Sequence, residues 1–270
     1  MACGPIFPTQ NYYLDAHVHL QDVRFQTDSE SVVQRAIARG VQQLFCNATC
    51  EQDWERVDEL ASAWQNIIPF WGIHPWFADT VSKGWEHRLR ERLKKYSGGI
   101  GETGLDRACS VDFDQQIRVF KTQLRCAIAL HRPLVIHCVK SWGKLVEILQ
   151  EAEGDFPPIM VHAFSGSREM MERLVGMGLY LSFSTRLLDP NQKKLSQVFG
   201  ATPLERILLE TDAPDQVSLF HQANGARYNE PQWVTDVYAR AAAVKSCDLE
   251  DFKIQVANNG TVFTDAAAFR

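Results

Sequence analysis

A chain of 270 residues, 45% hydrophobic and with a formal net charge of -5, suits one α/β barrel of about 250 residues. It is too acidic to coat duplex DNA through a broad basic surface, and no apolar run reaches the roughly 18 residues needed to cross a bilayer. Seven cysteines without a CxxC pair fit free thiols rather than a zinc ribbon or a disulfide framework, and the opening MACGPIFPTQ lacks the basic start and apolar stretch of a secretory signal, so a cytoplasmic protein is expected.

Along the chain, short segments rich in Val, Ile, Leu and Phe alternate with longer ones whose apolar residues return every three or four positions, the rhythm of strand and helix in turn. The first predicted strand, 12–20, reads YYLDAHVHL, and alternation would set Asp15, His17 and His19 on one face. Further strands are predicted at 41–49, 67–75, 98–106, 133–139, 158–166, 179–185 and 206–214. Between them, 29–40 reads as a helix opening on a serine cap and closing on Gly40, and 112–133 as a helix running to Pro133. Eight strand–helix repeats without low-complexity tracts most simply close into a (β/α)8 TIM barrel, a single domain over 1–270. An open doubly wound sheet is the alternative, but no GxGxxG or GxxxxGK[ST] follows any strand.

Polar residues interrupt these apolar strands late in their course: His17 and His19 in the first, His74 in the third, Glu102 in the fourth, His137 in the fifth, His162 in the sixth and Asp212 in the eighth. In a barrel the carboxyl ends of the strands share one mouth, so residues distant in sequence would meet there. Buried singly, a histidine is most often an ordinary core residue bonded to backbone, Glu102 a turn residue and Asp212 a cap. Buried together without a common partner, they would each carry a desolvation cost. A pair of divalent cations is the natural partner, with Glu102 as bridge, and such a pair suits hydrolysis of a phosphodiester.

The ordered motifs DAHVHL, GETGLD, IHC, HAFSG and ETDAP, with VANNGTVF near the carboxyl end, resemble the TatD family of metal-dependent deoxyribonucleases within the amidohydrolase-like superfamily. The resemblance implies that His17 and His19 bind a first metal, that Glu102 bridges two, and that Asp212 completes the first site and acts on the attacking water. It assigns the second metal to His137 and His162, and it implies magnesium- or manganese-dependent trimming of single-stranded DNA from the 3' end. The lysine that bridges metals in many amidohydrolases has no counterpart here, and Glu102 takes that role. Four imidazoles favour zinc, manganese or other transition ions over magnesium, which leaves the metal among Mg, Mn and Zn.

Several residues depart from the family pattern. HPW stands where relatives usually read HPH, so Trp76 replaces a polar residue near the mouth and offers an indole on which a base could stack, or packs its loop. His74 is expected to touch phosphate rather than metal. Asp106 is expected to orient a ligand histidine or to order its loop. Arg107 follows GLD, and Asp215 and Gln216 follow TDAP, where an aromatic residue or leucine is more usual; an added carboxylate would repel an anionic substrate unless it faces away. Lys140, Arg107, Arg186 and Arg227 are candidate phosphate contacts, with Arg227 and Tyr228 raised by the loop NGARYNE. DNA ends are thus the expected partner, with no membrane. A small-molecule hydrolase of amides, lactones or phosphoesters on the same metals, and a noncatalytic binding protein that keeps the metals for stability, are the alternatives.

Overall fold

The computed structural model describes residues 11–265. Eight parallel strands, β1 (Tyr13–Val18), β2 (Val41–Asn47), β3 (Ile67–Phe70), β4 (Ile100–Asp106), β5 (Leu134–Val139), β6 (Ile159–Val161), β7 (Tyr180–Phe183) and β8 (Ile207–Leu209), alternate with helices. Their order is β1-β2-β3 in one ladder and β4-β5-β6-β7-β8 in another. Single parallel bridges, Val18 to Ala213 and Phe70 to Gly99, join the two ladders at both seams. At the first seam His19 N–H donates to the Ala213 carbonyl at 2.7 Å and Asp212 N–H to the His17 carbonyl at 3.0 Å. The chain is therefore a (β/α)8 barrel, as the strand–helix rhythm predicts.

The apolar faces of the strands are covered by helices that include α1 (Ser29–Ala38), α2 (Trp54–Ala63), α3 (Trp85–Lys95), α4 (Phe113–Leu130) and α5 (Trp142–Glu151), then α6 (Arg168–Gly176), α7 (Lys193–Ala201), a short α8 (Leu219–Ala223), α9 (Val234–Lys245) and α10 (Leu249–Asp265). Phe263 of α10 stacks near Phe45 of β2 and Phe70 of β3 and meets Tyr180 of β7 edge-on, an aromatic layer spanning the barrel. None of the described helices is long and apolar enough to cross a membrane. Six cysteines are free thiols; Cys3 and the rest of the first ten residues lie outside the described residues.

Several local expectations need correction. Ser29 does not cap α1: Asp28 occupies that position without a side-chain cap bond, and the Ser29 hydroxyl instead accepts from Arg56 Nη2 at 3.0 Å. Gly40 does end the segment, at φ 86°. Helix α4 is capped by Asp112, which accepts Gln115 N–H at 2.8 Å, and it stops at His131, in the left-handed region, before Pro133. Asp15 stays beside His17, whose N–H lies 3.3 Å from its Oδ1, but it does not join the two histidines at the mouth. Its carboxylate turns to Thr211, accepting that residue's N–H at 2.9 Å and its hydroxyl at 2.5 Å.

Strands β3, β6 and β8 are shorter than predicted, and His74, His162 and Asp212 lie in the loops just beyond them. The chain leaves the ladder there to aim side chains at the mouth, with Ala163 at φ 44° and Asp212 at φ 60°, a left-handed region that L-residues seldom adopt. Glu102 is the opposite case, the third of the seven residues of β4 rather than a late one. The β4–β5 register is interrupted between Ile100 and Thr103, and Glu102 N–H crosses to the Ala48 carbonyl at 2.8 Å.

Candidate metal centre

Glu102 lies at the centre of the mouth. Its Oε2 stands 3.3 Å from His17 Nε2 and 3.4 Å from His19 Nε2, and Asp212 Oδ1 stands 3.6 and 3.5 Å from the same two nitrogens. His17 Nε2 and His19 Nε2 face each other at 3.1 Å. Donors bonded at about 2.0 to 2.1 Å to one tetrahedral cation stand roughly 3.3 to 3.4 Å apart, so this donor set fits a single ion.

The other oxygen, Oε1, faces a second set. His162 Nε2 lies 2.6 Å from it, His137 Nδ1 2.8 Å and His74 Nε2 3.4 Å, while His137 Nδ1 and His162 Nε2 are 3.2 Å apart. Each carboxylate oxygen of Glu102 therefore addresses its own group of imidazoles. All six residues expected to hold metal come together here, and His74 joins them.

His74 stands apart by its protonation. Its Nδ1 accepts the Trp76 N–H at 3.1 Å, so the neutral ring carries its proton on Nε2, the atom that faces Glu102. Burial, above the neighbouring charges, pushes the His74 pKa down to about 4, which keeps the ring neutral. A ring so fixed donates a hydrogen bond from Nε2 and has no lone pair there for a cation.

The candidate ligand side chains are held from behind. His19 Nδ1 bonds to the Asn47 carbonyl at 2.7 Å, and His137 Nε2 lies 3.4 Å from Asp106 Oδ2. Asp106 is itself fixed by Trp76 Nε1 and Ala108 N, each at 2.7 Å, so it both backs His137 and orders its own loop. Gln216 donates its amide to Asp212 Oδ2 and accepts the Ser184 hydroxyl. Glu210, fully buried, accepts Ala163 N–H at 2.8 Å and the Ser182 hydroxyl. Sequence reasoning missed the roles of Asn47, Glu210 and Gln216; ETDAP contains Glu210, but nothing in the motif says where it points.

The charge balance suits cations. Burial favours the neutral acid at Glu102, yet the surrounding imidazoles, His162 foremost, and the hydrogen bond from His137 hold its pKa well below the usual glutamate range. Asp212 behaves alike: burial opposes ionisation, and the hydrogen bond from His19 with the charges of His162, His17 and His19 brings it down to about 2. Two ionised carboxylates thus share a buried pocket with neutralisable imidazoles, the composition that divalent transition ions select.

Above the centre opens a cavity of about 930 Å³ whose lining includes Trp76, Arg24, Arg56, Asp22 and Asp215. Trp76 is 56% exposed, with its indole N–H tied to Asp106 and its ring set edge-to-face with His74, so much of the indole lies open to the cavity. Asp215 is ion-paired with Arg24 at 2.7 Å, which offsets its repulsion of an anion. Arg56 pairs with Glu59 at 2.8 Å. Arg227, Lys140, Arg107 and Arg186 are exposed and line no part of this cavity, and Arg107 packs over Phe113 at 3.7 Å. Tyr228 meets Phe25 edge-on and serves packing.

A (β/α)8 barrel with imidazoles and carboxylates converging at the carboxyl ends of its strands defines a metal-dependent hydrolase. The chain belongs to the TatD family: the family described as TatD related DNase matches residues 14–263. It is 30% identical over 241 residues to a Bacillus subtilis protein named uncharacterized metal-dependent hydrolase YabD, covering 88% of this chain and 92% of that one. It is 28% identical over 237 residues to the 3'-5' ssDNA/RNA exonuclease TatD of Citrobacter koseri, covering 84% and 89% respectively. The crystal structure of YjjV, a TatD homologue from Escherichia coli, superposes with a TM-score of 0.85 at 28% identity over 93% of this chain and 97% of that one.

Proposed function

We propose that this chain is a cytoplasmic deoxyribonuclease that trims single-stranded or frayed DNA from the 3' end, with two divalent ions, manganese or zinc before magnesium, held on either side of Glu102. The observation that carries this reading is the division of Glu102, with Oε2 toward His17 and His19 and Oε1 toward His137 and His162. When bound, such a pair of cations activates water and neutralises charge on the attacked phosphate and the departing oxygen.

The protein's own groups do the rest. Asp212 keeps Oδ1 toward the first set and, ionised, is the base placed to take the proton of the attacking water. Neutral His74, whose Nε2–H faces Glu102 Oε1 at 3.4 Å, is placed to turn that donor to a phosphate oxygen. The exposed face of Trp76 stacks on the terminal base, a contact worth about 1 to 3 kcal/mol. The family match and the exonuclease name of the Citrobacter koseri relative support a nucleic-acid substrate. The arginine pairings at the rim, Arg24 with Asp22 and Asp215 and Arg56 with Glu59, favour a second reading, a small phosphoester or lactone hydrolase.

The test is nucleotide release from a 5'-labelled single-stranded oligonucleotide with Mg, Mn or Zn supplied in turn, beside a panel of chromogenic esters and lactones. Stepwise shortening that disappears in Glu102→Ala and Asp212→Ala is expected. Intact oligonucleotide with turnover of the ester or lactone panel would replace the nuclease by the second reading.

A further inference from the structure

A ligand imidazole that gives one ring nitrogen to a cation carries its proton on the other, and that N–H needs an acceptor to fix the ring. Two of the four ligand histidines have their own: the Asn47 carbonyl for His19 and Asp106 for His137. His17 and His162 both turn Nε2 toward Glu102, so both keep the proton on Nδ1. These two Nδ1 atoms are buried and have no hydrogen-bond partner among the described residues. Their rings stack at 3.9 Å and 14°, so the two nitrogens need an acceptor that serves a pair of parallel rings.

Glu210 is that group. Its side chain is completely buried, its Oε1 lies 3.5 Å from His162 Nδ1, and one ligand atom each of His17, His162 and Glu210 lie within 4.8 Å of one another. The carboxylate is itself immobilised by Ala163 N–H and the Ser182 hydroxyl. No step of the proposed reaction uses it. His17 belongs to the first donor set and His162 to the second.

We infer that Glu210 is a positioning residue shared by both metal sites: its buried carboxylate, 3.5 Å from His162 Nδ1 and close to His17, is the acceptor toward which the Nδ1–H groups of both rings turn, and it so couples the two sites from beneath. The inference rests on the metal-binding reading above and adds to it the group that sets the tautomers of one ligand in each site. It separates Glu210 from Asp106, which backs His137 alone. Loss of an acceptor behind a ligand histidine typically weakens metal binding about 10- to 100-fold.

The experiment is calorimetric titration of metal-stripped protein with Mn²⁺ and with Zn²⁺, comparing wild type, Glu210→Ala, Glu210→Gln and Asp106→Ala, with nitrogen-15 spectra of labelled histidines to read which ring nitrogen carries the proton. Glu210→Ala is expected to weaken both binding steps about 10- to 100-fold and to perturb the Nδ1–H signals of two histidines. Glu210→Gln, which keeps the volume and a carbonyl acceptor, is expected to recover part of the loss and decides the matter if the alanine variant does not fold. Asp106→Ala is expected to weaken one step only. Folded Glu210 variants that bind both equivalents like wild type, or lose only one, overturn the inference. A wild type that takes up neither ion overturns the metal reading and this role with it.

Discussion

The Asp212 carboxylate is gripped from two sides, by His19 and His17 at Oδ1 and by the Gln216 amide at Oδ2. Gln216 stands where leucine or an aromatic residue is more usual, and the Ser184 hydroxyl, accepted by its Oε1, fixes which end of the amide reaches Asp212. Gln216→Leu is expected to keep the fold and to weaken metal binding at the first site by about tenfold, measured by metal titration with a thermal melt as control. Trp76 divides its indole between a bond to Asp106 and an exposed face. Trp76→Phe is accordingly expected to keep most affinity for single strands and Trp76→Ala to raise KM roughly 5- to 150-fold, the equivalent of one base stack; equal KM values for all three proteins would remove the stacking role.

At this scale the candidate ligands were legible and the groups behind them were not. A histidine or carboxylate inside an apolar strand is conspicuous because burial without a partner is costly, which is how His17, His19, Glu102, His137, His162 and Asp212 stood out. Glu210 is just as buried but sits beside Asp212 in one motif, and only the direction of its side chain separates a ligand from a group behind ligands. Asn47 acts on His19 through its backbone carbonyl, which no residue type announces.

At the level of elements, the site depends on two close backbone approaches. A Cβ on Gly104 would lie 1.9 Å from the His137 carbonyl oxygen, at a φ of 146° that only glycine adopts freely, and one on Gly72 would lie 2.6 Å from the Glu102 carbonyl oxygen. Gly104→Ala is expected to cost at least about 2 kcal/mol, read as a lowered unfolding midpoint in urea, because β4 must move away from β5 beside His137. The β2–α2 loop is tied to α3 by Glu51, which accepts from Ser82 N–H, the Ser82 hydroxyl and Arg88. Burial would raise the Glu51 pKa, but those bonds lower it below 4.5. A depressed folded pKa adds stability above the unfolded value that is lost as pH falls through the folded one. Glu51→Gln is therefore expected to destabilise by about 0.5 to 1 kcal/mol near pH 7, given how exposed Arg88 is, and by nothing measurable once pH drops below the folded value; a penalty unchanged by acid would contradict this. The strand–helix alternation was readable throughout, whereas strand ends were not, because the ladder stops where left-handed residues such as Ala163 and Asp212 turn the chain.

For the molecule as a whole, a net charge of -5 and a cavity whose arginines are already paired with acids leave little basic surface to follow a nucleic-acid backbone. Binding should then rest on one or two phosphates at the metals, and the logarithm of affinity for a single-stranded oligonucleotide should fall with the logarithm of salt at a slope shallower than about -1.5. A slope steeper than about -3 would reveal a basic track elsewhere. The barrel supplies the convergence that sequence alone implies only through its rhythm: eight strands bring residues from position 17 to position 212 within reach of one glutamate.

That glutamate gives the most direct test. Metal-stripped wild type and Glu102→Gln, a nearly isosteric change, are titrated with Mn²⁺ and Zn²⁺ and the bound ions counted. Two equivalents in the wild type and at most one weakly held ion in the variant are the expected result, since Glu102 faces both donor sets. A wild type that holds none, or a variant that still holds two as tightly, contradicts a shared carboxylate at the centre of this site.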